Sequence, residues 1–322
     1  MPFPLAFKKT GAGGFVNKDR RNFIKKAAGV LTGAYLGFYV PRYLRMGPSA
    51  GPVPSMRYRA LGRTGLQVSE IGFGGYPVSD PNVVDYALDR GMNYIDTSDC
   101  YREGKSEETI GRVMKKRRKD AVLTTKFDAF STTSKEQMLG WIDASLQRLQ
   151  TDYIDCLLVH QIGRASGGES VERLQNPALF EAFQTAKQQG KVGWLGCSGH
   201  DLDLMEVMNY ALVIPEISVI LCRYNFAVYP AQPELFKKAR ARGVGTIAMK
   251  TLAGARDADL KTFKDKGTTF KQAALKWVLS NPEVSNLIIS ISSRDQVDEY
   301  VRASGQRISP DESAFLKAPI PA

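Results

Sequence analysis

The chain has 322 residues, 43% of them hydrophobic and 24% charged, which is ordinary globular composition and enough length for one large α/β domain or two small ones. Its formal charge of +11 is unevenly placed, because nine basic residues and one acid precede Ser55 and the remainder carries only +3. That distribution excludes a nucleic-acid-binding body, whose basicity would lie on the fold and not on a leader.

The leader runs from a basic region through D-R-R-N-F-I-K-K (19–26) to fourteen apolar residues, Ala27 to Val40, stopped by Pro41. Adjacent Arg20 and Arg21, followed by Phe23, Ile24 and Lys25, resemble the twin-arginine export signal of bacteria. As a helix the apolar run would span about 21 Å, short of the ~20 residues that a free-standing transmembrane helix needs, so it suits a signal region better. The one weak cleavage site is Pro48-Ser49-Ala50, which leaves both a removed peptide and a retained anchor open. Residues 1–46 are therefore expected to be a twin-arginine-type signal or membrane anchor. Residues 47–55, rich in Gly and Pro, are expected to be a linker. The body, residues 56–322, would then stand in the periplasm or on the outer face of the inner membrane.

From Met56 to Ser69 the pattern has period two with turn residues at Gly62 to Gly65, which predicts a β-hairpin. Eight strand-like runs follow, each with a helical pattern behind it: V-S-E-I-G-F-G-G before Asn82–Arg90, Asn93–Asp96 before Ser106–Arg118, A-V-L-T-T-K-F before Lys135–Leu149, and Y-I-D-C-L-L-V-H before Pro177–Gln189. V-G-W-L-G-C-S-G precedes Leu202–Leu212, V-I-L-C-R-Y-N precedes Pro233–Ala241, G-T-I-A-M-K-T-L precedes Phe270–Leu279, and N-L-I-I-S-I-S precedes Asp295–Val301. The helix at Ser106 opens S-E-E, in the manner of a capping box. The strands are continuous apolar runs, as expected when both faces are covered. Eight such units in roughly 250 residues predict a (β/α)8 TIM barrel. A doubly wound open sheet would show a glycine-rich dinucleotide fingerprint after its first strand, and F-G-G-Y-P at Phe73 lacks that spacing.

Three successive strands end in chemistry. Tyr94-Ile95 delivers Asp96, with Tyr101 five residues on, and the next two deliver Lys126 and His160. In a barrel these strand tips are neighbours. A phenol with a pKa near 10 is a poor acid until a nearby ammonium stabilises its anion, which Lys126 would do with Asp96 holding it in place. His160 offers the phenol a second hydrogen bond. Such a group can protonate a carbonyl oxygen while hydride reaches carbon. The four cysteines, Cys100, Cys156, Cys197 and Cys222, have no C-x-x-C spacing and read as buried small hydrophobes. With two histidines in the chain, the sequence assembles no metal-ligand cluster.

The segments R-A-L-G-R-T-G-L-Q-V-S-E-I-G-F-G, D-T-S-D-C-Y-R-E-G-K-S-E-E-T-I-G, L-T-T-K-F, L-L-V-H and K-V-G-W-L-G-C-S-G-H resemble the aldo-keto reductase family from Met56 to about Ser304. The resemblance implies a carbonyl reductase or alcohol oxidoreductase that uses NADP or NAD without a Rossmann fold. It makes Tyr101 the general acid, tuned by Lys126 and Asp96, with His160 orienting the carbonyl of a small substrate. Ser198 would meet the nicotinamide, Met249 would take the place of a ring-stacking aromatic, and Lys250 would reach the pyrophosphate. Ser293 and Glu299, in S-I-S-S-R-D-Q-V-D-E-Y, would serve the adenosine end. Some positions depart from the family pattern: Gly199 stands for an asparagine, Leu221 for a glutamine, and Ser290 and Gln296 for basic residues that take a 2′-phosphate, with Arg294 nearby. These departures leave a rival class, a non-catalytic barrel anchored as a subunit of a membrane assembly.

Overall fold

Continuous apolar strands need cover on both faces, and the structure, a computed structural model, gives them that cover by closing the sheet. It describes residues 56–166, 168–227, 232–253 and 268–316; the expected leader (1–46) and linker (47–55) lie outside the described residues. Strands β1 (Tyr58–Ala60) and β2 (Gln67–Ser69) form the expected antiparallel hairpin. The barrel strands are β3 (Ile71–Gly74), β4 (Tyr94–Asp96), β5 (Val122–Phe127), β6 (Ile154–Val159), β7 (Val192–Gly199), β8 (Ile217–Arg223), β9 (Gly245–Met249) and β10 (Asn286–Ser290). Each pairs in parallel with the next, and β10 returns to β3 to close the barrel.

Helices α1 (Pro81–Asp89), α2 (Lys105–Arg117), α3 (Lys135–Arg148), α4 (Pro177–Gln188), α5 (Leu204–Ala211), α6 (Gln232–Ala241), α7 (Phe270–Leu279) and α8 (Arg294–Val301) follow the strands in turn, and α9 (Pro310–Leu316) is an addition the sequence pattern did not show. None of the described helices is long and apolar enough to cross a membrane. Outward strand residues such as Phe73, Ile95, Leu157 and Ile220 join the helices in one apolar layer. Inward ones, including Tyr94, Cys156, Leu158, Leu221 and Ile247, fill the barrel. Successive side chains alternate between these layers because a strand has period two.

The hairpin plugs the barrel's N-terminal end. Leu61 and Val68 are fully buried in the interior cluster. Arg63 donates to the carbonyls of Pro215 and Ile217 at the foot of β8. Glu70, between β2 and β3, accepts from Arg59 at 3.0 Å, from Ser304 at 2.9 Å and from the Gly305 backbone amide at 2.5 Å, so it ties the first barrel strand to the segment between α8 and α9.

One local expectation fails. Ser106 does not cap α2: the N-cap is Gly104, with no side-chain bond. Arg102, Glu103 and Gly104 turn the chain with φ of 52°, 57° and 83°, so the helix starts a residue early. Ser106 is thereby buried, donating to the Gly75 carbonyl at 2.8 Å and meeting Thr97 at 2.8 Å. Glu107 is buried as well, taking Thr125 at 2.5 Å and Arg148 at 2.6 Å. Tertiary partners satisfy both side chains better than an exposed cap would.

Candidate active site

Side-chain parity decides what the mouth of the barrel contains. Asp96, Lys126, Ser198 and Met249 lie an even number of residues from the inward Tyr94, Val122, Trp194 and Ile247, so all point inward at the C-terminal rim. His160 follows β6 in the same phase as Leu158. The loops are stitched to neighbouring strands beyond the ladder, with the Thr97 amide donating to Thr124, Asp99 to Lys126, His160 to Phe127 and Ile162 to Ser198. These bonds carry the sheet's pairing past the strand ends into the rim.

Asp96 and Lys126 are both 1% exposed. The Lys126 ammonium spends its three protons on Asp96 Oδ1 at 2.6 Å, the Thr97 carbonyl at 2.7 Å and the Tyr101 phenol at 3.4 Å. Burial works against this ammonium, but the Asp96 carboxylate and the phenol more than offset it and hold its pKa above the usual value. The other Asp96 oxygen, Oδ2, is buried and finds no partner among the described residues. Tyr101 is displaced upward from its ordinary value of 10, because burial outweighs the pull of Lys126. Lys126 pulls in the direction that the sequence reading gave it, but burial is the larger effect. The structure keeps Tyr101 a protonated phenol at neutral pH, the form that can donate.

His160 packs edge-on to Tyr101, with ring centroids 5.6 Å apart, and does not hydrogen-bond the phenol directly as expected. Its Nδ1 faces Ser98 Oγ at 3.3 Å, Cys100 Sγ at 3.5 Å and Asp128 Oδ2 at 3.8 Å. Burial, with Lys126 and Arg173 nearby, pushes its pKa down to about 2. The imidazole is neutral at any physiological pH, so it can orient a carbonyl but adds no charge.

Asp96, Tyr101, Lys126, His160, Ser198, Met249 and Lys250 meet in one cavity of about 620 Å³, which Tyr76, Gln161, His200 and Ile288 also line. Ser198 is held by the Gln161 amide at 2.8 Å. Lys250 sits at φ 54°, a left-handed conformation that non-glycine residues seldom adopt and that is found disproportionately at ligand sites. Ser293 and Glu299 do not line this cavity: Ser293 caps α8 through the Gln296 amide at 3.3 Å, and Glu299 pairs with Lys271 at 3.5 Å. Leu221 is wholly buried in the barrel interior. Arg294 lies over the Tyr86 ring, 5.2 Å from its centroid.

Sequence reasoning missed Ser98, Cys100 and Asp128, which surround the His160 nitrogen. Asp128 stands two residues past Lys126, and that spacing was the available signal. Cys156, Cys197 and Cys222 are buried as expected, but Cys100, which lines the cavity, is exposed. A group of potential metal ligands that the sequence pattern did not assemble is brought together by the fold. Cys100, Asp128 and His160 come from three separate loops, and the fold brings one ligand atom of each within 4.8 Å of the others.

Comparison with known proteins agrees with this geometry. The model of the Aldo/keto reductase family matches residues 77–259. L-galactose dehydrogenase of Arabidopsis thaliana is 30% identical over 282 residues, covering 76% of this chain and 87% of that protein. Among solved structures, an aldo-keto reductase of Bacillus halodurans in its holo form is 26% identical with a TM-score of 0.66, covering 81% of this chain and 95% of that one. An aldo-keto reductase of Klebsiella pneumoniae in complex with NADPH shares the fold, with a TM-score of 0.68 at 24% identity, covering 81% of this chain and 94% of that one. With a family model spanning more than half its length and a closed eight-stranded barrel carrying the acid–base cluster at its C-terminal rim, the chain belongs to the aldo/keto reductase family.

Proposed function

We propose that the protein is an NAD(P)H-dependent carbonyl reductase, or runs the reverse alcohol oxidation, with Tyr101 as the proton donor. The observation that carries this reading is the buried Lys126 ammonium shared between Asp96 and the Tyr101 phenol. Tyr101 gives its proton to the substrate oxygen as negative charge develops there. Lys126, 3.4 Å away, stabilises the phenolate left behind, and Asp96 keeps that ammonium charged and aimed. His160, uncharged, holds the carbonyl oxygen beside the phenol.

The residues present fit a nicotinamide nucleotide. Met249 and Ile288 offer an apolar wall for a flat ring, Ser198 a hydroxyl for its amide, and Lys250 a cation at the rim for the pyrophosphate. When bound, the nucleotide supplies or accepts the hydride. Ser293 and Glu299 stand away from this cavity and are proposed to contact the distant adenosine end. The likeness to L-galactose dehydrogenase makes small sugars and their aldehydes the first substrates to assay.

Replacing Tyr101 by Phe tests the reading. We expect kcat to fall by about 10²- to 10⁴-fold, with nucleotide binding retained. Undiminished turnover would remove Tyr101 from the role. The second reading, a non-catalytic barrel serving as a membrane-anchored subunit, is supported by the departures at Gly199 and Leu221. Titration with NADPH and NADH separates the two, since a structural subunit would show no binding. Trp194 is a poor reporter for that titration, because it lies four residues below Ser198 on β7 and packs in the interior cluster with a lysine over its ring. Calorimetry is the better readout.

Residues 1–46 are proposed to direct export or anchor the chain, with 47–55 as the linker to a reductase domain at 56–322. Exchanging Arg20 and Arg21 for lysine should leave the protein in the cytoplasm, and an unchanged location would sink the export reading.

A further inference from the structure

We infer that Cys100, Asp128 and His160 form a binding site for one Zn²⁺-class metal ion at the mouth of the barrel. The site is separate from the Asp96–Lys126 pair and draws on three loops, those following β4, β5 and β6. The facing atoms are a thiol sulfur, a carboxylate oxygen and an imidazole nitrogen, the donors that suit a borderline-soft divalent ion.

The spacing fits. With metal–nitrogen and metal–sulfur bonds of about 2.05 and 2.3 Å, a tetrahedral ion puts the two donors about 3.5 Å apart. His160 Nδ1 and Cys100 Sγ stand 3.5 Å apart. Nδ1 and Asp128 Oδ2 stand 3.8 Å apart, a few tenths of an ångström wider than the corresponding edge of about 3.3 Å, and Asp128 needs only a small side-chain rotation to close it. The carboxylate is already aimed. Buried Arg173 takes its Oδ1 at 3.2 Å and is itself fixed by the Ala129 carbonyl at 2.6 Å, leaving Oδ2 turned to the imidazole. Outer partners of this kind orient metal ligands and support their affinity.

Cys100 is exposed and lines the cavity, so an ion has an entry path and a fourth coordination position open to solvent or ligand. The nearest ammonium, Lys126, is already neutralised by Asp96 at 2.6 Å and does not oppose a cation uncompensated. Binding forms metal–sulfur, metal–nitrogen and metal–oxygen bonds and releases the Cys100 thiol proton to water, with no electron transferred. An ion so held pins the imidazole beside Tyr101, so on the function proposed above the metal-bound protein is the resting form.

The test reads binding and not turnover, so its failure leaves the reductase reading untouched. Full-length protein, stripped with chelator, is titrated with Co²⁺ under reducing conditions. We expect one equivalent to raise tetrahedral visible bands and a thiolate-to-cobalt charge-transfer band, both displaced by Zn²⁺. Cys100→Ser should abolish the charge-transfer band, and Asp128→Asn should weaken binding by about 10-fold or more. Absence of the band, its survival in Cys100→Ser, or an Asp128→Asn titration superimposed on the parent would overturn the site. If either variant proves unfolded, alkylation of Cys100 in the parent protein decides: Zn²⁺ should slow it at least about 10-fold, and an unchanged rate would overturn the proposal equally.

Discussion

His160 and Asp99 divide the pH response of this site between them with opposite signs. Burial and the cations around it push His160 down to about 2, whereas an unfolded imidazole titrates near 6.5. Between those values the unfolded chain binds the extra proton. The native state is therefore favoured most above about pH 6.5 and loses ground as pH falls through that window. Asp99 runs the other way. Burial, with Glu107 and Asp128 nearby, raises it to about 6, so the native chain holds an extra proton between the ordinary carboxylate range and pH 6, and that contribution is lost as pH rises. Exchanging His160 for Gln should move acid unfolding to lower pH, and exchanging Asp99 for Asn should stabilise the protein selectively above pH 6; circular dichroism at stepped pH checks both. In turnover, no inflection between pH 5 and 8 should belong to His160. One near pH 6 should vanish in Asp99→Asn, and its persistence there would contradict the assignment.

The helix after β4 shows how the fold binds its elements, and how much of it can be read beforehand. At Gly111 a Cβ would collide with the Arg148 carbonyl, so α2 and the end of α3 touch backbone to backbone. Gly111→Ala should cost about 1–3 kcal/mol, at the upper end because the obstacle is main chain; a lower urea midpoint with unchanged slope would register it. The alternation of strand and helix was legible because apolar runs and turn residues are local signals. So was the trio Asp96, Lys126 and His160, because strand ends in a parallel barrel share one rim and parity fixes which residue points in. Ser106 and Glu107 misled because a capping pattern is judged against solvent, and here the competing partners, Gly75, Thr125 and Arg148, lie 31, 18 and 41 residues away. Ser98 and Cys100 were missed for the same reason, because loop conformation brings them to His160; Asp128, two residues past Lys126, alone carried a local signal.

On the scale of the whole molecule, the cavity of about 620 Å³ stands at the mouth of a barrel whose interior is filled by side chains. A nucleotide that enters it binds the native chain and not the unfolded one. At a concentration one hundred times its Kd it should add about 2.7 kcal/mol to stability. For a domain of this size that corresponds to a rise in Tm of roughly 5 °C. Scanning calorimetry with NADPH and with NADH would therefore rank the two cofactors without any substrate. Equal curves with and without both nucleotides would favour the non-catalytic reading.

The Glu70 clamp has a consequence for the order of events during synthesis. Ile71 on β3 pairs with Leu287 on β10, and Glu70 waits for Ser304 and Gly305, more than 200 residues downstream. Until those residues leave the ribosome, β3 has an open edge and the hairpin lacks its far anchor. Contacts so distant in sequence make late, slow steps, and an unpaired parallel edge invites association with other chains in the interval. The nascent chain should therefore depend on chaperones most strongly just before Ser304 and Gly305 emerge.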